Sequence, residues 1–219
     1  MERTLEPELM LDPHQAFAYA SADFSTAHQA VIERFAAIFS AFNEGLVLDM
    51  GCGTADISIR FAKRFPRAKI IGVDGSPSML SIGRKRIEEY HLSHSIELFE
   101  GIIPTWSYPA PFDVLLSNSL LHHLPRLSIA WQAIKKYAKK GAFIFFVDLI
   151  RPESIEKARL LTESYVQNAP FLLKRDFFNS LLASFTIEEI SQEIQSKNLS
   201  FTVEQISDFH LMIHGIFNG

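Results

Sequence analysis

From about Gly45 onward, short apolar runs alternate with stretches of helical spacing. The runs fall at residues 46–48, 70–73, 96–99, 114–116 and 143–147. Five such runs separated by helices predict an α/β fold: a doubly wound, mostly parallel Rossmann-like sheet. Ile57, Phe61 and Phe65 recur every four residues and predict the inner face of the first crossover helix, with Arg60, Lys63 and Arg64 on the solvent side. Ser76 and Pro77 open the second crossover as an N-cap and a first-turn proline, and Met79, Ile82 and Ile87 supply its inner face. A later helix around Trp131, Ile134 and Ala138 is expected to end at Lys139, Lys140 and Gly141, cations at the negative helix end followed by a glycine cap.

Two regions lie outside this alternation. Residues 1–42 read as helical, with Val31, Phe35, Ile38 and Phe42 spaced to cover one face. Residues 151–185 form an aromatic-rich insertion holding Tyr165, Phe171, Phe177 and Phe178, and Thr186 to Glu189 then read as a capping box. The tail, at 201–206 and 211–216, predicts a closing antiparallel strand pair. With 219 residues, 47% of them hydrophobic, the chain suits one domain. In that division residues 1–42 are a helical lid, 45–150 a ligand-binding core, 151–185 a substrate-side insertion and 186–219 the closing helix and strands.

Charge and cysteine content narrow the partners. A formal net charge of −4 makes nucleic acid an unexpected partner, and the lone Cys52 supports neither a disulfide framework nor a thiolate metal site. Residues 1–10 are acidic without a following apolar stretch, and no run reaches membrane-spanning length. The expectation is a cytoplasmic protein without a membrane partner, acting on a small molecule; oligomeric state is left open.

The chemistry concentrates where the first strand runs into Asp49, Met50, Gly51, Cys52, Gly53 and Thr54. Strand, glycine turn and helix create a ligand crevice in which the glycines let backbone approach the ligand. Asp74 ends the next strand about twenty residues further on, a spacing suited to accepting hydrogen bonds from two ribose hydroxyls. A nicotinamide-binding fingerprint would carry a third glycine where this chain has Asp56. A carboxylate at that helix start opposes a pyrophosphate, whereas a cofactor bearing an amino group and a sulfonium tolerates it, which favours S-adenosylmethionine.

Residues 45–150, through the Val47–Leu48–Asp49 and Gly51–Cys52–Gly53–Thr54 signature, resemble the class I S-adenosylmethionine-dependent methyltransferases of the small-molecule type. The resemblance implies S-adenosylmethionine as cofactor, S-adenosylhomocysteine as product, and methyl transfer by in-line displacement. It implies that Asp49 lies beside the methionyl amino group with Gly51, Cys52 and Gly53, that Asp74 binds the ribose, and that Gly75 to Met79 run alongside the adenosine. Gly101 and Ile102 match the adenine corner, where many relatives have an acid at the position of Ile102. Adenine recognition then falls to backbone groups, apolar packing or another carboxylate such as Glu100. Asn118 and Ser119, after the fourth strand, match a polar turn facing the cofactor. The family's architecture also implies a reversed final strand near 211–216.

Other candidates carry two readings each. His122 and His123 are candidate bases for an oxygen or protonated nitrogen acceptor, or else packing residues; with neither a third ligand nor a carboxylate at recognisable spacing they predict no metal. Tyr19 and Asp23 either close over the cofactor or serve a helix surface and cap. Arg151, Arg175 and Tyr165 are candidate substrate contacts, the arginines alternatively pairing with a local acid such as Asp148 or Asp176. Cys52 reads as a small packing residue rather than a nucleophile. The alternatives to a small-molecule methyltransferase are a non-catalytic cofactor-binding subunit or sensor, and a methyltransferase acting on RNA or protein.

Overall fold

A computed structural model describes residues 1–6 and 10–219. Two helices, α1 (Pro13–Ser21) and α2 (Ser25–Ile38), precede strand β1 (Glu44–Met50). The alternating core follows: α3 (Asp56–Arg64), β2 (Arg67–Asp74), α4 (Pro77–Glu89), β3 (Ile96–Glu100), β4 (Phe112–Asn118), a single helical turn at Leu121–His123, α5 (Ser128–Tyr137) and β5 (Ala138–Leu149). The chain closes with α6 (Ile155–Val166), α7 (Phe171–Ala183), α8 (Ile187–Ser196), β6 (Phe201–Gln205) and β7 (His210–Ile216). The strands of the described residues form one sheet in the order β3-β2-β1-β4-β5-β7-β6, parallel from β3 to β5, with β7 antiparallel to β5. The order reverses between β1 and β4, so the two crossovers diverge there and open a crevice at the strands' carboxyl ends.

Each sheet face is covered by helices whose apolar residues repeat at helical spacing. On one face Phe35 of α2 meets Phe39, Phe42, Phe61, Phe65 and Phe145, with centroids 4.9–5.6 Å apart and mostly edge-on, an arrangement that adds quadrupole attraction to burial. On the other, Trp131, Ile134 and Tyr137 of α5 and Ile190 and Ile194 of α8 pack on Phe112, Ile144 and Phe146. A smaller cluster joins Leu149 to Ala158, Leu161 and Leu181, fastening the α6–α7 hairpin beside the carboxyl end of β5. The Ser76 side chain accepts from the Met79 amide with Pro77 in the first turn, and Thr186 and Glu189 form the full capping box.

The fold corrects three expectations of detail. Helix α5 stops at Tyr137, whose hydroxyl is held by the carbonyls of Pro104 and Trp106, and residues 139–141 belong to β5. The β4–β5 register shifts between Phe112 and Val114, paired with Ala138 and Phe143, so Gly141 (φ +87°) sits in a bulge rather than a helix cap, and Lys139 pairs with Asp113 at 2.7 Å. Ile38 is 36% exposed, because α2 ends there and Phe39 and Phe42 take over the inward face. Arg60 is half-buried and reaches back to Asp56 at 2.8 Å instead of pointing away.

Candidate active site

A cavity of about 1170 Å³ opens at the carboxyl ends of β1, β2 and β4 and continues beneath α1, α2, α6 and α7. Its floor is the turn after β1. Gly51, Gly53 and Ala55 all take left-handed backbone angles (φ +71°, +51° and +61°), and the amides of Gly51 and Cys52 return to the Val73 carbonyl at 2.8 and 3.2 Å. A Cβ on Gly51 would stand 2.9 Å from Leu120 Cδ1, so only glycine keeps this approach open. Ala55 and Ser119 (φ +59°) hold the same conformation despite their side chains, strain of the kind that gathers at ligand sites.

Asp74 stands over this floor. One of its oxygens accepts from the Gly53 amide and the other from the Ser76 amide, both at 2.8 Å. Each carboxylate oxygen therefore spends one acceptor site on the turn and keeps another, a pairing that fits the vicinal hydroxyls of a ribose. Burial raises the Asp74 pKa against the pull of those two amides. Asp49 lies below, 1% exposed, accepting from the Ser58 hydroxyl at 2.5 Å; burial pushes its pKa up to about 7, with the nearby Asp74 charge adding to the rise and Ser58 opposing it. A cationic amino group placed here would relieve that burial cost. Met79 Cε lies 3.2 Å from where a Gly53 Cβ would be, so Met79 narrows the floor beside Gly75.

The start of α3 is already balanced. Asp56 accepts from His28 Nδ1 at 2.7 Å and Arg60 at 2.8 Å, with Arg86 at 3.8 Å. Burial works to raise its pKa, but the His28 and Arg60 hydrogen bonds outweigh it and hold Asp56 well below the usual carboxylate range. An ionised carboxylate at the positive helix end leaves little there to attract a pyrophosphate. The partner of His28 is 28 residues away along the chain, and no local spacing signals the pair.

Most sequence-derived site residues converge on the cavity: Tyr19, Asp23, Gly101, Ile102, Asn118, Ser119, His122, His123 and Tyr165 line it with those above. Tyr19 is pushed up to about 12, by burial first and then by Asp56 and Asp74, while Asp23 accepts from the amide and hydroxyl of Ser25 at the start of α2. Ile102 is 50% exposed, and Glu100, also exposed, does not line the cavity. Cys52 is buried; burial, then Asp49 and Asp74, raises its thiol well above the ordinary value, which agrees with packing and disfavours a thiolate.

The two arginines are not brought to the cavity. Arg151 is 8% exposed and donates to Glu189 and the Ser184 carbonyl, so its partner is Glu189 rather than Asp148; Arg175 pairs with the adjacent Asp176 at 2.9 Å. The far end of the cavity is instead lined by Leu149, Tyr165, Leu173, Phe177, Phe209 and His210, and burial lowers His210 to about 4. Beside this end, His122 Nδ1 meets Asp148 Oδ1 at 2.6 Å. A carboxylate only accepts, so Nδ1 carries a proton, and in the neutral ring Nε2 presents its lone pair. Burial opposes charge on His122, but Asp148 and Glu6 outweigh it and raise its pKa; His123 is lowered to about 3 by burial and by His122. Glu6 approaches both imidazoles, a carboxylate that spacing along the chain gave no reason to expect.

A parallel sheet with a reversed last strand, a glycine turn on its first strand and an acid ending its second define a Rossmann-like, nucleoside-binding class of protein. Residues 47–141 match the family model described as a methyltransferase domain. Similar curated proteins include a malonyl-[acyl-carrier protein] O-methyltransferase of Priestia megaterium, 29% identical over 59% of this chain and 45% of that one. Another is a ubiquinone biosynthesis O-methyltransferase of an Azoarcus species, 32% identical over 48% of this chain and 44% of that one. The chain thus spans less than half the length of these relatives. Two solved structures share the fold. One is a plantazolicin methyltransferase in complex with a triazolic desmethylPZN analog and SAH (TM-score 0.69, 18% identity, 94% of this chain and 90% of that one). The other is a SAM-dependent methyltransferase from Aquifex aeolicus (TM-score 0.64, 14% identity, 94% and 98%). No helix among the described residues is long and apolar enough to cross a membrane.

Proposed function

We propose that this protein transfers a methyl group from S-adenosylmethionine to a small, largely apolar acceptor held beneath α6 and α7. The single observation that carries this reading is the position of Asp74, with one acceptor site free on each oxygen, directly above a glycine turn that a Cβ would obstruct. When bound, the sulfonium supplies an electrophilic methyl group. Asp74 then holds the ribose, Asp49 faces the amino group, and Asn118 and Ser119 border the space between cofactor and acceptor. Leu149, Leu173, Phe177 and Phe209 exclude water from the acceptor end, so that positioning and desolvation supply much of the rate. Two of the curated relatives are named as O-methyltransferases, one of malonyl-[acyl-carrier protein] and one of ubiquinone biosynthesis, which supports oxygen as the acceptor atom.

The test is incubation with methyl-tritiated S-adenosylmethionine and a panel of apolar carboxylic acids, phenols and amines. Label moving into an organic product, and failing to move with Asp74→Ala, supports the reading. Cofactor binding without label transfer to any small acceptor, but with transfer to protein or RNA, contradicts it.

A further inference from the structure

Glu6, His122 and His123 converge at the edge of the cavity, one potential ligand atom from each lying within 4.8 Å of the other two. Glu6 Oε2 is 3.6 Å from His123 Nδ1 and 3.9 Å from His122 Nε2. Around a tetrahedral zinc ion with bonds of about 2.0–2.1 Å, neighbouring ligand atoms stand about 3.3–3.4 Å apart. Two of the three ligand–ligand distances thus lie within a few tenths of an ångström of that spacing, and the third is below 4.8 Å.

Three independent details point the same way. Asp148 fixes His122 with the Nε2 lone pair toward the cluster, and is itself held by the amides of Leu121 and Leu149 at 2.6 and 2.8 Å; a carboxylate behind a histidine is the usual support of a metal ligand. The Ser180 hydroxyl donates to Glu6 Oε2 at 2.9 Å, orienting the third group from α7. His123 Nδ1 is buried with no hydrogen-bond partner among the described residues, an arrangement that needs an explanation in a native fold. Both imidazoles also line the cavity.

We propose that Glu6, His122 and His123 form a mononuclear site for a divalent transition metal of the zinc type, with its remaining coordination position facing the acceptor end of the cavity. Two imidazoles and one carboxylate select zinc-like ions over magnesium or calcium, which prefer all-oxygen surroundings. Three protein ligands with one open position are the arrangement of zinc sites that bind an exchangeable oxygen ligand, and an oxygen-bearing acceptor fits that place. The site shares no ligand with the Asp49–Gly53 turn or Asp74, so it stands or falls apart from the cofactor reading.

The experiment is zinc titration of the full chain, free of any polyhistidine tag and stripped with chelator, in competition with a chromophoric chelator. One equivalent of zinc is expected, with affinity about 10-fold or more weaker in Glu6→Gln and His123→Ala, and about 10–100-fold weaker in Asp148→Asn. An anomalous peak at the zinc edge among the three side chains is the matching crystallographic result. Absence of stoichiometric binding, or an affinity that Glu6→Gln and His123→Ala leave unmoved, overturns the proposal. Glu6→Gln is isosteric and keeps an oxygen facing Ser180, so it carries the test should His123→Ala fail to fold.

Discussion

The two ends of the cavity are built by different physics. The cofactor end is made of backbone: left-handed turns at Gly51, Gly53 and Ala55, amides returned to Val73, and one carboxylate braced by the amides of Gly53 and Ser76. The acceptor end is made of side chains from distant segments, with Gln15 of α1 bonded to Asp176 of α7 at 2.9 Å, Glu6 near His122 and His123, and Tyr165 of α6 bonded to Asp208 before β7. A backbone-built site tolerates little change, because each residue fixes its neighbours. A side-chain site can be rebuilt without touching the sheet, which is how one scaffold serves many acceptors.

The sharpest break in this comparison is Asp74→Ala. It removes two charge-assisted acceptors worth about 1.5–3 kcal/mol each, so S-adenosylmethionine affinity is expected to fall roughly 100-fold or more, measured by calorimetry, while the protein stays folded. Next is the pH dependence carried by Asp49. Its folded-state pKa, about 7, lies above the ordinary 3.8, so the stability it contributes is present at low pH and lost as pH rises from about 4 through 7. Asp49→Asn lacks that slope. Its melting temperature is expected to exceed the wild-type value by a margin that widens between those pH values, while its affinity for S-adenosylmethionine drops.

Gly51→Ala puts a Cβ 2.9 Å from Leu120 at a positive φ. A loss of roughly 1–2 kcal/mol is expected, seen as a melting temperature roughly 2–8 °C lower and weaker cofactor binding. The smallest effect belongs to the other end. Gln15→Ala leaves the 5%-exposed Asp176 with one partner fewer. It is expected to cost about 1 kcal/mol of stability and to raise the acceptor KM while leaving cofactor affinity unchanged. An equal effect on both ligands would erase the distinction between the two ends.

The same division explains what could be read from the chain. The five parallel strands, the closing pair, the caps at Ser76 and Thr186 and the residues from Asp49 to Asp74 follow from short-range patterns, since each is a local solution to backbone hydrogen bonding or helix ends. Lys139, Lys140 and Gly141 misled because a glycine after lysines serves a bulge as well as a helix cap, and the register of β4 against β5 decides between them. Arg151 looked like a substrate clamp until Glu189, 38 residues on, was brought beside it. Glu6 carried no signal at all: its meeting with His122 and His123 depends on Arg3, which donates to the carbonyls of His122, Leu124 and Ala183 and stacks on Phe185 at 3.7 Å.

The most direct test is calorimetric titration of the wild-type protein with S-adenosylmethionine and, separately, with NAD. Stoichiometric binding of S-adenosylmethionine and none of NAD is the predicted result, because Asp56 closes the helix end that a pyrophosphate would need. NAD binding without S-adenosylmethionine binding would contradict the account at its centre.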